Sequence, residues 1–565
     1  MLLKGSDIIL ECLKEQGVDT VFGYPGGSIL NVYDSLYKYS GEIRHILTAH
    51  EQGAAHAADG YARSTGKVGV VLATSGPGAT NLVTGIATAH MDSSPLVAIT
   101  CNVKTHLLGK DTFQEIDILG ITMPVTKHSF LVKKPEDIAP AIRNAFRIAT
   151  TGRPGPVLID ITSDATELET EYEYTAPEKA DNYIIESTKA DIKEAISLIK
   201  SAERPLIYAG GGIICADAAE ELKEFQTLVD APVTLSLMGL GGFPSDSPAY
   251  TGMIGMHGTK TTSLAVKNCD LLIAIGARFS DRVTCNKSTF AKKAKILHID
   301  VDRAEIDKNV ISTAYLVGDA KATLSALCGE FKKPLRHKEW MKKIQYWKEK
   351  YPLTHSRGKK LTPKCVMDTI YKMTEGDAII STDVGQHQMW AAQYYKLKRT
   401  RQLLTSGGLG TMGFGLGAAI GAKVANPDKT VINISGDGCF HMNLNELSTA
   451  VSYRLPVIDI VMNNNALGMV RQWQRMFFDG RFSETTLNKK TDYDMVAKGF
   501  GANAYTVRDK DELEGALREA LLTKDKPTVI NCLIDSDTVV LPMVPSGKSI
   551  EEPILKIENQ EDKND

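Results

Sequence analysis

The chain lacks several features that would assign its class at once. Its nine cysteines fall singly, with no CxxC pair and no Cys/His cluster. That argues against a disulfide framework or structural zinc and suits a reducing compartment. No apolar run approaches the ~20 residues that span a bilayer. An excess of one charge is missing too: 65 Lys and Arg stand against 68 Asp and Glu, a formal net charge of −3. Neither nucleic acid nor a membrane surface is favoured as a partner. No secretory or transit segment is expected, because the N-terminus opens directly into a helix-like segment, with Ser6 as N-cap and Gly17 as its stop. A cytoplasmic enzyme is the expectation.

What is present is length and alternation. With 565 residues the chain exceeds one core, and roughly three or four domains are expected. Short apolar strands alternate with helix-length stretches, the pattern of α/β, doubly wound parallel sheets. A first block covers residues 1–165, with a strand from Val68 to Thr74, a turn from Ser75 to Gly78 and a helix from Thr80 to His90. An acidic stretch, 166–188, reads as a linker. A second block, 189–330, carries the strand Pro205 to Ala209 and then Gly210, Gly211 and Gly212. Residues 331–360, rich in Lys and Trp, read as a helical connector; 361–540 form a third block and 541–565 a tail. Thr74-Ser75-Gly76 is echoed by Thr405-Ser406-Gly407, which coincidence or two related domains would explain.

The most informative residues are Gly436-Asp437-Gly438, after an apolar strand, and Asn463-Asn464-Asn465, after a second one. A strand–turn–helix–strand unit would bring Asp437 and Asn464 together as hard oxygen ligands, suited to Mg²⁺ shared with a diphosphate. Gly436 and Gly438 let the backbone approach that diphosphate. The pattern resembles the thiamine diphosphate (ThDP) signature. ThDP also needs a carboxylate at its pyrimidine ring. Glu51, in His50-Glu51-Gln52-Gly53, fits: it follows a strand and starts a helix among small residues. Glu51 is expected to be buried and to exchange a proton near neutral pH. Glycines 407, 408, 410, 413, 415 and 417 allow backbone contact with a flat ring, or merely tight helix packing.

Over nearly its whole length the chain resembles the FAD-containing biosynthetic acetohydroxyacid synthases, as their catalytic subunit. The discriminating stretches are Phe113-Gln114-Glu115, Ala277 to Thr284 and Gly468 to Trp473. The resemblance implies three doubly wound domains: ThDP pyrimidine-binding, central Rossmann-like FAD-binding, and ThDP diphosphate-binding. It implies a homodimer or dimer of dimers, with ThDP bridging two chains, and a possible small regulatory subunit. Gly27, Gly410, Met412 and Met469 are carried over as ThDP contacts, and Ala466 joins Asp437 and Asn464 in the metal set. For FAD the carried residues are Arg153, Gly211, Gly212, Met256, His257, Gly276, Arg278, Asp281, Asp300 and Asp319. Glu51 and Gln114 are carried over as catalytic, with Arg282 for the acceptor's carboxylate and Trp473 for the acceptor pocket. Val470 and Phe113 would line the same mouth. The implied reaction joins pyruvate to a second 2-ketoacid, pyruvate or 2-ketobutyrate, without net redox. It is the first common step toward valine, leucine and isoleucine.

The chain departs from the family at Ser280, usually Asp, at Thr162-Ser163-Asp164, usually Pro-Lys-Asp, at Lys110, and at Cys285, commonly Gly. The rivals are an FAD-independent catabolic acetolactate synthase, a pyruvate oxidase or sulfoacetaldehyde acetyltransferase, and a silent cofactor-binding regulatory subunit. Glyoxylate carboligases lack the glutamate found here as Glu51.

Overall fold

Three parallel sheets of six strands each organise the computed structural model, which describes residues 1–177, 185–353, 361–487 and 490–556. Their strands are runs of β-branched and aliphatic residues buried on both faces, as in Leu271–Ile275 and Gly69–Thr74, which is what sheets covered by helices on both sides require.

The first sheet takes Thr20–Tyr24, Arg44–Leu47, Gly69–Thr74, Leu96–Asn102, His128–Val132 and Pro156–Thr162. The third takes Ile379–Thr382, Leu403–Thr405, Val431–Gly436, Ile458–Asn463, Asn503–Val507 and Thr528–Leu533. Both are wound in one spatial order: second, first, third, fourth, sixth, fifth. The middle sheet, Pro205–Ala209, Val233–Leu235, Tyr250–Met253, Leu271–Ile275, Lys295–Asp300 and Ala314–Val317, runs third, second, first, fourth, fifth, sixth. That is the dinucleotide-binding order, with its crevice between the first and fourth strands. The shared winding of the outer sheets does not rest on the Thr-Ser-Gly echo. Thr74 ends the third strand of its sheet, whereas Thr405 ends the second of its own.

Ser6 is not the N-cap. The first helix is Gly5–Glu15 with Lys4 at the cap, and Ser6 is buried, accepting a hydrogen bond from Ser35 Oγ at 2.9 Å. Gly17 does end it, at φ +71°. The expected turn at Ser75 to Gly78 instead runs into a short helix, Pro77–Asn81, followed by Val83–Asp92. The stretch expected to link from 166 includes Glu169–Glu171, paired antiparallel with Leu2–Lys4, and a buried Tyr172 whose hydroxyl donates to Glu15. Residues 178–184 of it lie outside the described set, as do 354–360 of the connector and 557–565 of the tail. Within the connector, Lys338–Lys350 is a helix whose Trp340, Ile344 and Trp347 form a buried stripe, and Trp340 Nε1 donates to the Pro205 carbonyl.

Helix Glu51–Thr65 of the first domain lies against helix Phe414–Ala425 of the third. A methyl at Gly60 would run into the Ala418 carbonyl, and one at Gly421 into that of Ala57. From Gly415 onward the glycines therefore serve packing rather than a cofactor.

Candidate active site

The strand ends of the first sheet supply one wall. Arg44–Leu47 leads through His50 into the helix that Glu51 begins, and His50 Nδ1 caps it by accepting from the Gln52 N–H at 3.1 Å. Glu51 thus sits at the positive end of the helix. It is buried, 9% exposed, and Asn81 Nδ2 donates to its Oε2 at 2.9 Å. Gly78 keeps the other oxygen clear, since a Cβ there would stand 3.3 Å from Oε1. From the third domain, buried Glu446 accepts the N–H groups of Ala49 and His50 at 3.2 and 3.0 Å, bracing the approach to Glu51. Gln114 adopts φ +60° against Gly76, and Glu115 holds this loop by accepting the N–H groups of Gly109, Lys110 and Thr112. Phe113 projects from it, 87% exposed. Gly27 opens a single 3₁₀ turn with free space where a side chain would stand.

The third domain supplies the oxygen pair. Asp437 Oδ2 and Asn464 Oδ1 both accept the Ala466 N–H, at 3.2 and 3.1 Å, so the two side chains converge on one point. Asp437 Oδ1 takes the Gly438 N–H at 2.9 Å. Ala466 meets the pair with its N–H, so only its carbonyl oxygen is free in kind to ligate a cation. Burial pushes the Asp437 carboxyl up to about 6. Among the described residues no group of three or more His, Cys, Asp or Glu could hold a metal alone. A carboxylate short of counter-charge beside one amide oxygen fits Mg²⁺ that draws its remaining ligands from phosphate and water.

The glycine loop lies beside the oxygen pair. Gly410 has φ +74°, and Met412 reaches toward the Gly436-Asp437-Gly438 turn: a Cβ on Gly438 would lie 3.7 Å from Met412 Cε. Asp383 fixes the loop's far end, its Oδ1 accepting the N–H groups of Gly413 and Gly415 at 2.7 and 3.1 Å.

A cavity of about 1660 Å³ opens at the middle sheet's crevice, well above the ~300–1,000 Å³ of most ligand pockets. Every residue carried over for FAD lines it. Gly212 and Gly276 touch backbone to backbone at the crevice, leaving room for a ligand above them. Arg153 pairs with Glu305 at 3.0 Å, while burial and the neighbouring Arg153 hold the Arg278 guanidinium below its ordinary range. Two guanidiniums on one wall fit a diphosphate. Asp300 is buried, its carboxyl pushed up to about 6, and Asp319 caps helix Ala320–Gly329. The cavity continues past Gly410 to Met469, Val470 and Trp473, with Arg282 on its rim. Arg282 is largely unengaged: its nearest carboxylate is Asp281 at 3.8 Å, and its Nη1 is 3.8 Å from Met256 Sδ. Trp473 packs edge-on to Phe477 at 5.4 Å. Glu51, Gln114, Gly27, Met412, Gly436, Gly438, Asp437, Asn464 and Ala466 are not part of this cavity's lining.

Family models match the chain in three segments. Thiamine pyrophosphate enzyme models match residues 3–121 (N-terminal TPP-binding domain), 192–327 (central domain) and 383–532 (C-terminal TPP-binding domain). The acetolactate synthase large subunit of Haemophilus influenzae is 44% identical over 99% of both chains. A probable acetolactate synthase large subunit of Methanocaldococcus jannaschii is 48% identical, covering 96% of this chain and 94% of its own. The isozyme 3 large subunit of Escherichia coli is 43% identical over 98% of both. The chain belongs to the acetolactate synthase large-subunit family. Gln386 and His387 also reach this site, without a signal in the sequence. Both follow strand Ile379–Thr382, which pairs beside Val431–Gly436. Gln386 Oε1 accepts from Asn464 Nδ2 at 3.2 Å. The His387 ring lies against Gly436, with Nε2 buried and unpartnered, and burial holds the imidazole down to about 3. The ring's other side is hydrogen-bonded to the Asp383 backbone carbonyl, so in the neutral ring the spare Nε2 is a lone-pair acceptor beside the Asp437–Asn464 pair. Gly385-Gln386-His387 carries no local spacing signal; only the strand pairing brings it to the site.

Behind the same turn, Asp459 is buried, with Oδ2 unpartnered and Oδ1 accepting from Ser435 and Asn433. Burial pushes its carboxyl up from 3.8 to about 7. Between those values the native state keeps a proton that the unfolded chain releases, so stability falls as pH rises through that window. Asp459→Asn is expected to flatten this fall. Thermal unfolding at about pH 5 and about pH 8 measures it, and equal slopes in variant and wild type would refute the assignment.

Proposed function

We propose that the chain is the catalytic subunit of a biosynthetic acetolactate synthase using ThDP, Mg²⁺ and FAD. It would convert two pyruvates to 2-acetolactate and CO₂, or pyruvate and 2-ketobutyrate to 2-aceto-2-hydroxybutyrate. The observation that carries the reading is the cavity in which the residues carried over for FAD run on to Arg282 and Trp473. Bound ThDP supplies the carbon nucleophile that lets a 2-ketoacid lose CO₂. Glu51 would hold the aminopyrimidine and exchange a proton with it. Asp437 and Asn464 would hold Mg²⁺, with Gln386 and His387 beside them. Arg282, held only loosely by Asp281 and Met256, would offer its guanidinium fork to the acceptor's carboxylate. Trp473, Met469 and Val470 would size the space for the acceptor's alkyl group. Arg153 and Arg278 would hold the FAD diphosphate in a structural role, since the reaction has no net redox. The resemblance to the acetohydroxyacid synthases favours a homodimer or dimer of dimers in which a second copy completes the site. Relatives named as large subunits favour a small regulatory partner.

The deciding assay supplies pyruvate, ThDP and Mg²⁺ with and without FAD, and follows acetolactate and oxygen. FAD-dependent acetolactate without stoichiometric oxygen uptake is expected. Acetolactate without FAD would move the chain to the catabolic type, and oxygen uptake without acetolactate to an oxidase. Trp473→Leu is expected to cut the preference for 2-ketobutyrate over pyruvate roughly tenfold, within the ~10–200-fold a methylene pocket can deliver. Competition between the two acceptors reads it, and an unchanged product ratio would take Trp473 out of the pocket.

A further inference from the structure

One buried ionic group is not among the residues carried over for either cofactor or for the acceptor. Asp92 closes helix Val83–Asp92, where a carboxylate opposes the helix dipole. Its side chain is fully buried. A local arrangement this unfavourable persists where something else depends on it. Here Asp92 Oδ2 accepts the Gly407 N–H at 3.2 Å and Oδ1 the Gly408 N–H at 2.7 Å. The carboxylate of the first domain therefore grips the first two residues of the glycine loop of the third.

Arg63 completes the grip. Its Nη1 donates to Asp92 Oδ2 at 3.1 Å and to the Thr405 carbonyl at 2.8 Å, the residue where the loop's strand ends. Its other edge makes two bonds to Asp59, both 2.7 Å, and its guanidinium lies 5.0 Å from the Phe414 ring centre. Arg63 thus touches the chain on both sides of the loop. The middle is held by Thr411, whose N–H donates to Ser406 Oγ at 3.0 Å and whose hydroxyl pairs with Thr88 at 2.7 Å. The loop so suspended carries Gly410 and Met412. Asp92 also lines the large cavity, beside Ser93 and Arg153.

We propose that Asp92 is a positioning residue for ThDP: with Arg63 behind it, it sets where the glycine loop begins and so where Gly410 and Met412 meet the cofactor. The inference rests on the ThDP reading above.

The test compares Asp92→Asn with Asp59→Asn in the full chain, loaded with FAD and Mg²⁺. ThDP binding is followed by titration calorimetry, and kcat is measured at saturating ThDP. Asparagine keeps the shape but loses the charge and one acceptor. Asp92→Asn is expected to weaken ThDP at least tenfold and leave kcat at saturation within threefold. Asp59→Asn removes the other anchor of Arg63 and is expected to lower the unfolding temperature while ThDP affinity stays within twofold. Gly408→Ala gives a second reading if Asp92→Asn does not fold. Its methyl would meet Asp92 Oδ1 and the Met91 carbonyl at 2.8 Å, lifting the loop and weakening ThDP alike. Unchanged ThDP affinity in Asp92→Asn or Gly408→Ala, or an equal loss in Asp59→Asn, overturns the proposal in favour of plain domain cement. A wild-type chain that fails to bind ThDP overturns the cofactor reading instead.

Discussion

Glu51→Gln is expected to lower turnover by roughly 10²–10⁴-fold, the range a positioned proton-transfer group contributes, while ThDP still binds. The glutamine is isosteric and can still accept from Asn81 Nδ2, which holds Oε2 at 2.9 Å. It cannot take and return a proton. The helix start should survive as well, because His50 caps it and Glu446 grips the two preceding N–H groups. Acetolactate formation at saturating ThDP, set beside a calorimetric ThDP titration, separates the two effects. Near-normal turnover would remove Glu51 from proton transfer. Loss of ThDP binding alone would make it a binding group.

Asp437→Ala is expected to weaken Mg²⁺-dependent ThDP binding by more than about 100-fold, beyond the ~10–100-fold typical of residues that only support a metal ligand. The substitution removes one of two converging oxygens and frees the Gly438 N–H at the turn. Asp437→Asn keeps the turn's acceptor and tests charge alone. Titrations in Mg²⁺ and in EDTA give the readout: the wild type should lose affinity on chelation, and the alanine variant should have little left to lose. A variant that binds as tightly as wild type, or responds as strongly to EDTA, would refute the ligand role.

The parts of this site legible in the sequence were those written into single strand–turn–helix units. Asp437 and Asn464 end adjacent parallel strands, so spacing alone predicts their meeting. Glu51 is similar, with strand, cap and helix in order. Ser6 failed as a cap because a tertiary partner, Ser35, claims its hydroxyl. Glycine density misled in part, since Gly410 faces the cavity while Gly417 and Gly421 face a helix, and composition does not separate a ligand-facing glycine from a packing one. His387 and Asp92 were illegible for a different reason. Each becomes meaningful only through a neighbour brought in from another strand or another domain.

The contact between helices Glu51–Thr65 and Phe414–Ala425 bears on how such a chain can change. Two backbones that meet through glycine and alanine tolerate no added methyl at Gly60 or Gly421, and a single buried cluster runs through both domains, from Phe22 and Val71 to Leu416 and Val431. The outer domains, though wound alike, are therefore not exchangeable modules. A segment grafted from another protein would have to arrive with its partner helix already matched, so the pair is inherited together or not at all.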